Sequence, residues 1–339
     1  MSCSAALAAA ATSIVIAGQP YDVGRPVVLW CDRDQGFDAY SETCVEAGAA
    51  SACCEKRFKR YGSRRGVAPG DLHALTKVVK QLVLHHDGCV NSRSCFHSMH
   101  DMPRPDGGCG LSAHFMIDAD GTIYQTLDLT ERALHAGPAN EASIGVEICN
   151  RADASRNELD RLPAEYRTRP VRDVVINRRT YRAFDFRPEQ YSSIIALTRT
   201  LIRVFPQIRP AIPEKDGEPF LEALANPGAF EGIVGHLHVD PRARKWDPGA
   251  FDWRRLLDAL NGIYLPLQIR GYSLLQLPDA ARLATAARAA FFNVEERAGG
   301  SYPVGLGGLW DPGVAVRAEP GAEVRAPARG TVVAARLRT

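Results

Sequence analysis

The stretch Val78-Val-Lys-Gln-Leu-Val-Leu-His-His86 decides the reading of this sequence. Its run of Val and Leu predicts a buried strand, and that strand ends on two imidazoles. Outward from it, residues 94–102 predict a short helix, followed by a Pro/Gly loop from Pro103 to Gly110. His114-Phe-Met-Ile-Asp118 and Thr122-Ile-Tyr-Gln-Thr126 flank Ala-Asp-Gly121, the signature of a β-hairpin with Asp-Gly in its turn. Ser143-Ile-Gly-Val-Glu-Ile148 predicts another short strand, and residues 151–185 read as charged and irregular. Pro188 opens a helix in which Tyr191, Ile194, Ile195, Thr198, Leu201, Ile202 and Phe205 recur at helical spacing until Pro206 stops it. Gly232-Ile-Val-Gly-His236 predicts one more strand, and Trp253 to Leu260 a final helix. Strands alternate with helices around one hairpin, so the class is α/β with a mixed sheet.

Composition narrows the function. The chain has 339 residues, 41 Lys+Arg against 39 Asp+Glu, and a net charge of +2, so bulk charge gives no sign of a nucleic-acid partner. Hydrophobic residues make up 45% and charged residues 24%, which excludes a wholly disordered chain. No apolar run reaches the ~18 residues that a transmembrane helix needs. Upstream, Ser13-Ile-Val-Ile-Ala17 and Pro26-Val-Val-Leu-Trp30 predict two short strands with turn residues Gly18 to Gly24 between them. Residues 32–70 read as a polar, Cys-bearing, basic surface segment.

Nine cysteines are many for a reducing compartment. Cys89-Val-Asn-Ser-Arg-Ser-Cys95 closes a short loop after the first imidazole-bearing strand and reads as a disulfide. Cys31, Cys44, Cys53 and Cys54 form a second irregular group without a His among them, which argues against structural zinc. Oxidising surroundings follow, hence the cell envelope or the extracellular space. Met1 to Gly18 is Ala-rich but has no Lys or Arg before Arg25, so the basic region of a secretory signal is not seen: either export takes another route, or the true N-terminus lies upstream or was trimmed.

The chemistry concentrates in three places. His85 and His86 end one strand, His236 ends another, and Asp247 follows eleven residues later in Lys245-Trp-Asp-Pro-Gly249. Two imidazoles and a carboxylate suit a catalytic zinc, which keeps three protein ligands and one open position. Taken singly, each His also has a plainer reading as a hydrogen-bonded structural residue.

At this point the residues carry a resemblance. Leu82-Val-Leu-His-His86, Leu111-Ser-Ala-His-Phe-Met-Ile-Asp118, Asp120-Gly-Thr-Ile-Tyr124, His135-Ala-Gly137, Asn140, Ser143-Ile-Gly-Val-Glu147, Gly235-His236 and Lys245-Trp-Asp-Pro-Gly249 stand in that order. The set resembles the type 2 N-acetylmuramoyl-L-alanine amidase family, which includes the phage lysozyme-type amidases and the peptidoglycan recognition proteins. The likeness runs from about residue 76 to residue 260.

It implies a central mixed β-sheet flanked by helices, with a Zn2+ cleft held by His85, His236 and Asp247. It implies Glu147 as catalytic acid/base and Lys245 as the partner of the oxyanion. His114, His135 and Asn140 are expected to contact substrate, with structural hydrogen bonding the alternative for the two His, and Cys89 with Cys95 resembles the loop disulfide of the recognition proteins. The implied reaction is hydrolysis of the amide between N-acetylmuramic acid and L-alanine in peptidoglycan or muropeptides. The alternative is a non-catalytic peptidoglycan-binding module of the same fold. Glu147 also reads as a strand-end charge, Lys245 as one more loop cation beside Arg242 and Arg244, and His238 as a rival to His236. The interval from His236 to Asp247 is about one residue longer than the family's usual loop. Ala113 stands where some phage-type members have Tyr, so a Tyr-assisted mechanism is not expected.

Residues 1–70 are thus read as a lead segment, 71–265 as the zinc domain and 266–300 as an Ala-rich helical linker. In 301–339, Trp310-Asp-Pro-Gly-Val-Ala-Val316 is similar to the opening of LytM-type (M23) peptidase domains. Asp311 and Ala315 occupy its two ligand positions, so a short, β-rich, non-catalytic segment is expected.

Overall fold

A computed structural model describes residues 11–32, 34–39, 64–101, 110–155, 162, 166, 168–261, 300–301 and 304–305. The chain forms two units, Met1–Leu260 and Asn261–Thr339. In the second, the described residues form one two-residue ladder, Gly300–Ser301 with Val304–Gly305. The expected linker and the remainder of the expected β-rich tail lie outside the described residues.

The first unit is built on a six-stranded mixed sheet. Its strands are β3 (Val27–Leu29), β4 (Gln81–His86), β5 (Phe115–Ile117), β6 (Ile123–Gln125), β7 (Ser143–Ile148) and β12 (Gly232–Gly235), in the order β12-β4-β7-β5-β6-β3. β12, β4, β7 and β5 run parallel, β6 returns antiparallel to β5, and β3 adds in parallel to β6. The predicted hairpin is this β5–β6 pair.

Alternation along β4 and β7 gives the sheet two different faces. Leu82 and Leu84 of β4 and Ile144, Val146 and Ile148 of β7 join the main apolar core. That core includes Tyr191, Ile194, Leu197 and Leu201 of helix α3 (Pro188–Val204), and Trp253 and Leu256 of helix α5 (Trp253–Asn261). Fully burying each such side chain stabilises the fold by roughly 1.5–3 kcal/mol. The intervening positions, Val83 and His85 on β4 and Ser143, Gly145 and Glu147 on β7, share the opposite face. Met116, the β5 partner of Glu147, packs on that face with Cys95 of helix α2 (Ser92–Asp101). The sheet is therefore covered by helices on both faces.

Three sequence expectations are corrected. The strand does not begin at Val78: Leu72–Val78 is a helix, α1, capped by Asp71, whose side chain accepts from the Ala74 N–H at 2.9 Å. The lead segment is not separate. Ser13–Ile16 (β1) pairs with Gln19–Asp22 (β2) about a turn in which Ala17 and Gly18 have positive φ, while Val27–Leu29 is the edge strand of the main sheet. Within the segment read as surface, Arg64 is buried. Its guanidinium donates to the carbonyls of Leu129, Asn140, Glu141 and Ser143 at 2.6–3.0 Å.

Residues 151–185 are not all irregular either. Val171–Ile176 (β8) and Arg179–Phe184 (β9) form an antiparallel hairpin across Asn177 and Arg178, both in the left-handed region at φ 48° and 62°. Both strands are largely exposed, so no apolar alternation announces them. Glu214–Lys215 (β10) and Glu218–Pro219 (β11) form a two-residue antiparallel ladder ahead of β12. Among the described residues, no helix is long and apolar enough to cross a membrane.

Candidate metal centre and groove

Three donors meet on the site face of the sheet. His85, next to last in β4, turns its Nδ1 to within 2.9 Å of Asp247 Oδ2. His236 starts α4 (His236–Val239) directly after β12 and places its Nδ1 3.0 Å from the same oxygen. One ligand atom from each of the three lies within 4.8 Å of the other two.

The local backbone explains why His236 and Asp247 coincide. A Cβ on Gly235 would stand 2.6 Å from Pro248 Cδ, so only glycine lets β12 approach the loop that carries Asp247. The Leu237 N–H then donates to the Asp247 carbonyl at 3.0 Å.

The electrostatics separate the roles. Burial drives His85 down to about 4, against the pull of Asp247, so the ring is neutral. Burial alone would raise Asp247, but the His236 imidazole turned toward it holds it well below the usual carboxylate range. A carboxylate oxygen between two imidazole nitrogens is the donor set of a catalytic zinc site, and the residues fit a divalent ion of that kind.

Glu147 lies beside this cluster. It is the register partner of His85, and its Oε1 is 3.9 Å from His85 Nδ1. Burial first, then the charges of Asp247 and Asp87, push its carboxyl well above its ordinary value.

An open groove leads away from His236. Leu134, Pro138 and Asn140 line it together with Arg242, Arg244 and Lys245. The Lys245 side chain is exposed.

The other expected site residues divide between the groove wall and the interior. His114 is fully buried and does not line the groove. Its Nδ1 accepts from the Gly145 N–H at 3.0 Å, its Nε2 is 3.0 Å from both the Glu131 carbonyl and Arg64, and burial drives it down to about 3. Both of its ring nitrogens are thus engaged within the protein. His135 reaches the groove wall but is mostly buried, with Nδ1 3.0 Å from His85 Nε2. Asn140 uses its Oδ1 to accept from the N–H groups of His135 and Ala136 at 3.0 and 2.7 Å, which fixes that turn. His238, the rival to His236, is engaged with the Gly235 N–H at 2.8 Å and the Phe220 carbonyl at 2.6 Å.

The expected Cys89–Cys95 disulfide is not formed in this structure. Both are free thiols with Sγ atoms within 4.8 Å of each other, and Cys95 Sγ donates to the Asp87 carbonyl at 3.5 Å instead. Cys149 is also a free thiol, and Cys44, Cys53 and Cys54 lie outside the described residues.

Comparison with known proteins now decides the family. The family described as N-acetylmuramoyl-L-alanine amidase matches residues 75–250, more than half of the chain and all of the cluster above. The chain belongs to this amidase family.

Among curated relatives, the 1,6-anhydro-N-acetylmuramyl-L-alanine amidase AmpD of Salmonella typhimurium is 30% identical over 146 residues, 43% of this chain and 54% of that protein. AmpD of Haemophilus influenzae is 29% identical over 152 residues, 44% of this chain and 59% of that protein. This chain thus spans about half the length of the curated relatives it matches. Among solved structures, an AmpD selenomethionine derivative aligns at TM-score 0.36 and 21% identity over 59% of this chain and 90% of that one. The E. coli amidase AmiD, in complex with anhydro-N-acetylmuramic acid-L-Ala-D-gamma-Glu-L-Lys, aligns at TM-score 0.35 and 23% identity over 62% and 70%.

Several residues that shape the amidase cluster escaped the sequence reading. Tyr181 of the β8–β9 hairpin stacks on Trp246, with centroids 4.7 Å apart and planes at 3°, and Trp246 in turn packs against His86 at 4.6 Å. Asn177 Nδ2 donates to the Lys245 carbonyl at 3.0 Å, while its Oδ1 accepts from the Ala223 N–H at 2.8 Å. The hairpin therefore braces the loop that carries Lys245 and Asp247. Asn177, a residue that favours left-handed turns, directly after the β-branched run Val174-Val-Ile176 is the signal the sequence offers.

Proposed function

We propose that this chain is a zinc-dependent hydrolase of the amide between N-acetylmuramic acid and L-alanine, acting on peptidoglycan or muropeptides. The observation that carries the proposal is the placement of buried Glu147 3.9 Å from His85 Nδ1, beside the three-donor cluster. His85 Nδ1, His236 Nδ1 and Asp247 Oδ2 would hold the zinc. Bound there, zinc supplies Lewis acidity, which polarises the scissile carbonyl and makes water a nucleophile at neutral pH.

The protein groups do the rest. Glu147, ionised for the attack, takes the proton of the attacking water and passes it to the departing amine nitrogen of L-alanine. The raised affinity of Glu147 for a proton suits both halves of that transfer. The Lys245 ammonium, on the groove wall beside His236, stabilises the negative charge that develops on the carbonyl oxygen. Leu134 and Pro138 give the groove an apolar side. Arg242 and Arg244 give it cations for the carboxylates of a stem peptide.

The curated relatives named as 1,6-anhydro-N-acetylmuramyl-L-alanine amidases support the same reaction. A site of action in the envelope or outside the cell fits this substrate, and oxidation of the neighbouring Cys89 and Cys95 thiols to a disulfide belongs to that setting. A purely recognition role would have no use for a buried carboxyl beside a complete ligand set.

The test is incubation of the zinc-loaded protein with purified peptidoglycan and assay for stem peptides with a free L-alanine amine. Their release, abolished by a chelator and restored by zinc, supports the proposal. Peptidoglycan binding without release, while a control amidase cleaves the same sample, favours the recognition module.

A further inference from the structure

Behind His85 runs a chain of hydrogen bonds whose direction the geometry fixes. Ser143 Oγ is 2.7 Å from the Ala139 carbonyl and 3.2 Å from His135 Nε2. A carbonyl can only accept, and two oxygens 2.7 Å apart need a proton between them, so the Ser143 hydroxyl donates to Ala139. The same oxygen then has only lone pairs left for His135, which must donate from Nε2. A neutral His135 with its proton on Nε2 offers a lone pair at Nδ1. His85 Nε2, 3.0 Å away, supplies the proton for that contact. His85 therefore presents an unprotonated Nδ1 on its far side, 2.9 Å from Asp247 Oδ2.

That arrangement sets two acceptors against each other. A lone pair facing a carboxylate oxygen at hydrogen-bond distance repels it unless a cation joins them. We propose that Ser143 and His135 are positioning residues that hold His85 in its Nε2–H tautomer and so leave the pocket short of one proton and ready for a metal ion. The inference rests on the metal site proposed above. It concerns how that site is prepared, since the orientation of a ligating imidazole is set by what its other nitrogen bonds.

The packing around His135 fits this purpose. A Cβ on Gly145 would stand 2.6 Å from His135 Cγ, so the glycine of Ser143-Ile-Gly-Val-Glu147 leaves room for the ring against β7. Asn140 holds the backbone N–H of His135 from the other side at 3.0 Å. Ser143 itself is fully buried, so its hydroxyl is not diverted to solvent.

The experiment compares the wild type with Ser143→Ala, His135→Leu and His135→Gln in two readouts. The first is zinc affinity by chelator competition. The second is the His85 ring proton in the zinc-free protein, read by nitrogen-15 NMR. The wild type should carry the proton on Nε2. Ser143→Ala frees His135 to donate toward His85, so the His85 proton should move to Nδ1 and zinc affinity should fall ~10–100-fold. His135→Leu should lose affinity to a similar extent. His135→Gln, whose amide both accepts from His85 and donates to Ser143, should restore affinity to within a few-fold. A structural role alone would lower thermal stability without moving the proton. An Nδ1–H wild type, or equal zinc affinity in Ser143→Ala, would overturn the proposal while leaving the zinc reading intact. Failure of the wild type to bind stoichiometric zinc would overturn the zinc reading itself.

Discussion

His85 and Glu147 are register partners on adjacent parallel strands, and their side chains meet 3.9 Å apart on the face of the sheet that turns away from α3. The proposed metal donor and the proposed acid/base are thus set by one strand pairing. Their separation cannot change without shifting the ladder, which would also move Leu82, Leu84, Ile144 and Val146 out of the core.

Glu147→Gln keeps the shape and removes the titratable group. Zinc content should stay near one per chain while turnover falls by ~10²–10⁴, the range for loss of general acid–base catalysis. Metal analysis beside an amidase assay separates this from loss of a ligand. A metal-free variant would make Glu147 a ligand instead.

Asp247→Ala should empty the site. It removes the only anionic donor of the three and leaves His85 and His236 facing an uncharged gap. Equilibrium dialysis against zinc should show sub-stoichiometric binding, with activity lost in parallel. An active, zinc-loaded variant would show that the third ligand lies elsewhere.

Tyr181→Ala removes a stacked ring from Trp246, beside Asp247. Aromatic pairs of this kind contribute ~0.5–1.5 kcal/mol beyond their buried area. Zinc affinity should weaken several-fold, and Tyr181→Phe should behave as wild type because the ring alone makes the stack. Asn177→Ala should act in the same direction through the Lys245 carbonyl. Zinc titration of the three variants under one condition checks the set.

His114 makes stability fall in acid. Burial holds the folded ring near 3, against about 6.5 in an unfolded chain. Between those values the unfolded state binds a proton that the folded state refuses. The contribution is therefore fully present above pH 6.5 and lost as pH falls toward 3, by up to about 1.4 kcal/mol per pH unit. Urea unfolding at pH 7.5, 6 and 5 should show a shallower decline in His114→Gln than in wild type, even if that variant starts less stable.

Much of the site was legible because its parts are local. The apolar run ending in His85 and His86, the Asp-Gly hairpin and the spacing of α3 all declare themselves within ten to twenty residues. The β8–β9 hairpin did not. Its strands are exposed and Arg-rich, so neither face carries the apolar alternation that marks a half-buried strand. Arg64 escapes for a related reason: a basic residue in a polar stretch looks solvated until four carbonyl groups surround it. The motif order places His114 and His135 near the cleft but leaves open whether they meet substrate or bond within the protein. Burial and the direction of their ring nitrogens, which follow from the closure of distant segments, engage His114 with Gly145 and His135 with His85.

The sequence by itself determined which side chains share a face. Alternation along a strand follows from backbone geometry, so Ser143, Gly145 and Glu147 stand together wherever β7 is placed. Only the tertiary structure decided that this face meets Asp247, 162 residues beyond His85, and that His135, backed by Ser143, turns toward that His. Those contacts depend on how distant segments close on one another through packing and shared hydrogen bonds, and no local periodicity encodes that closure.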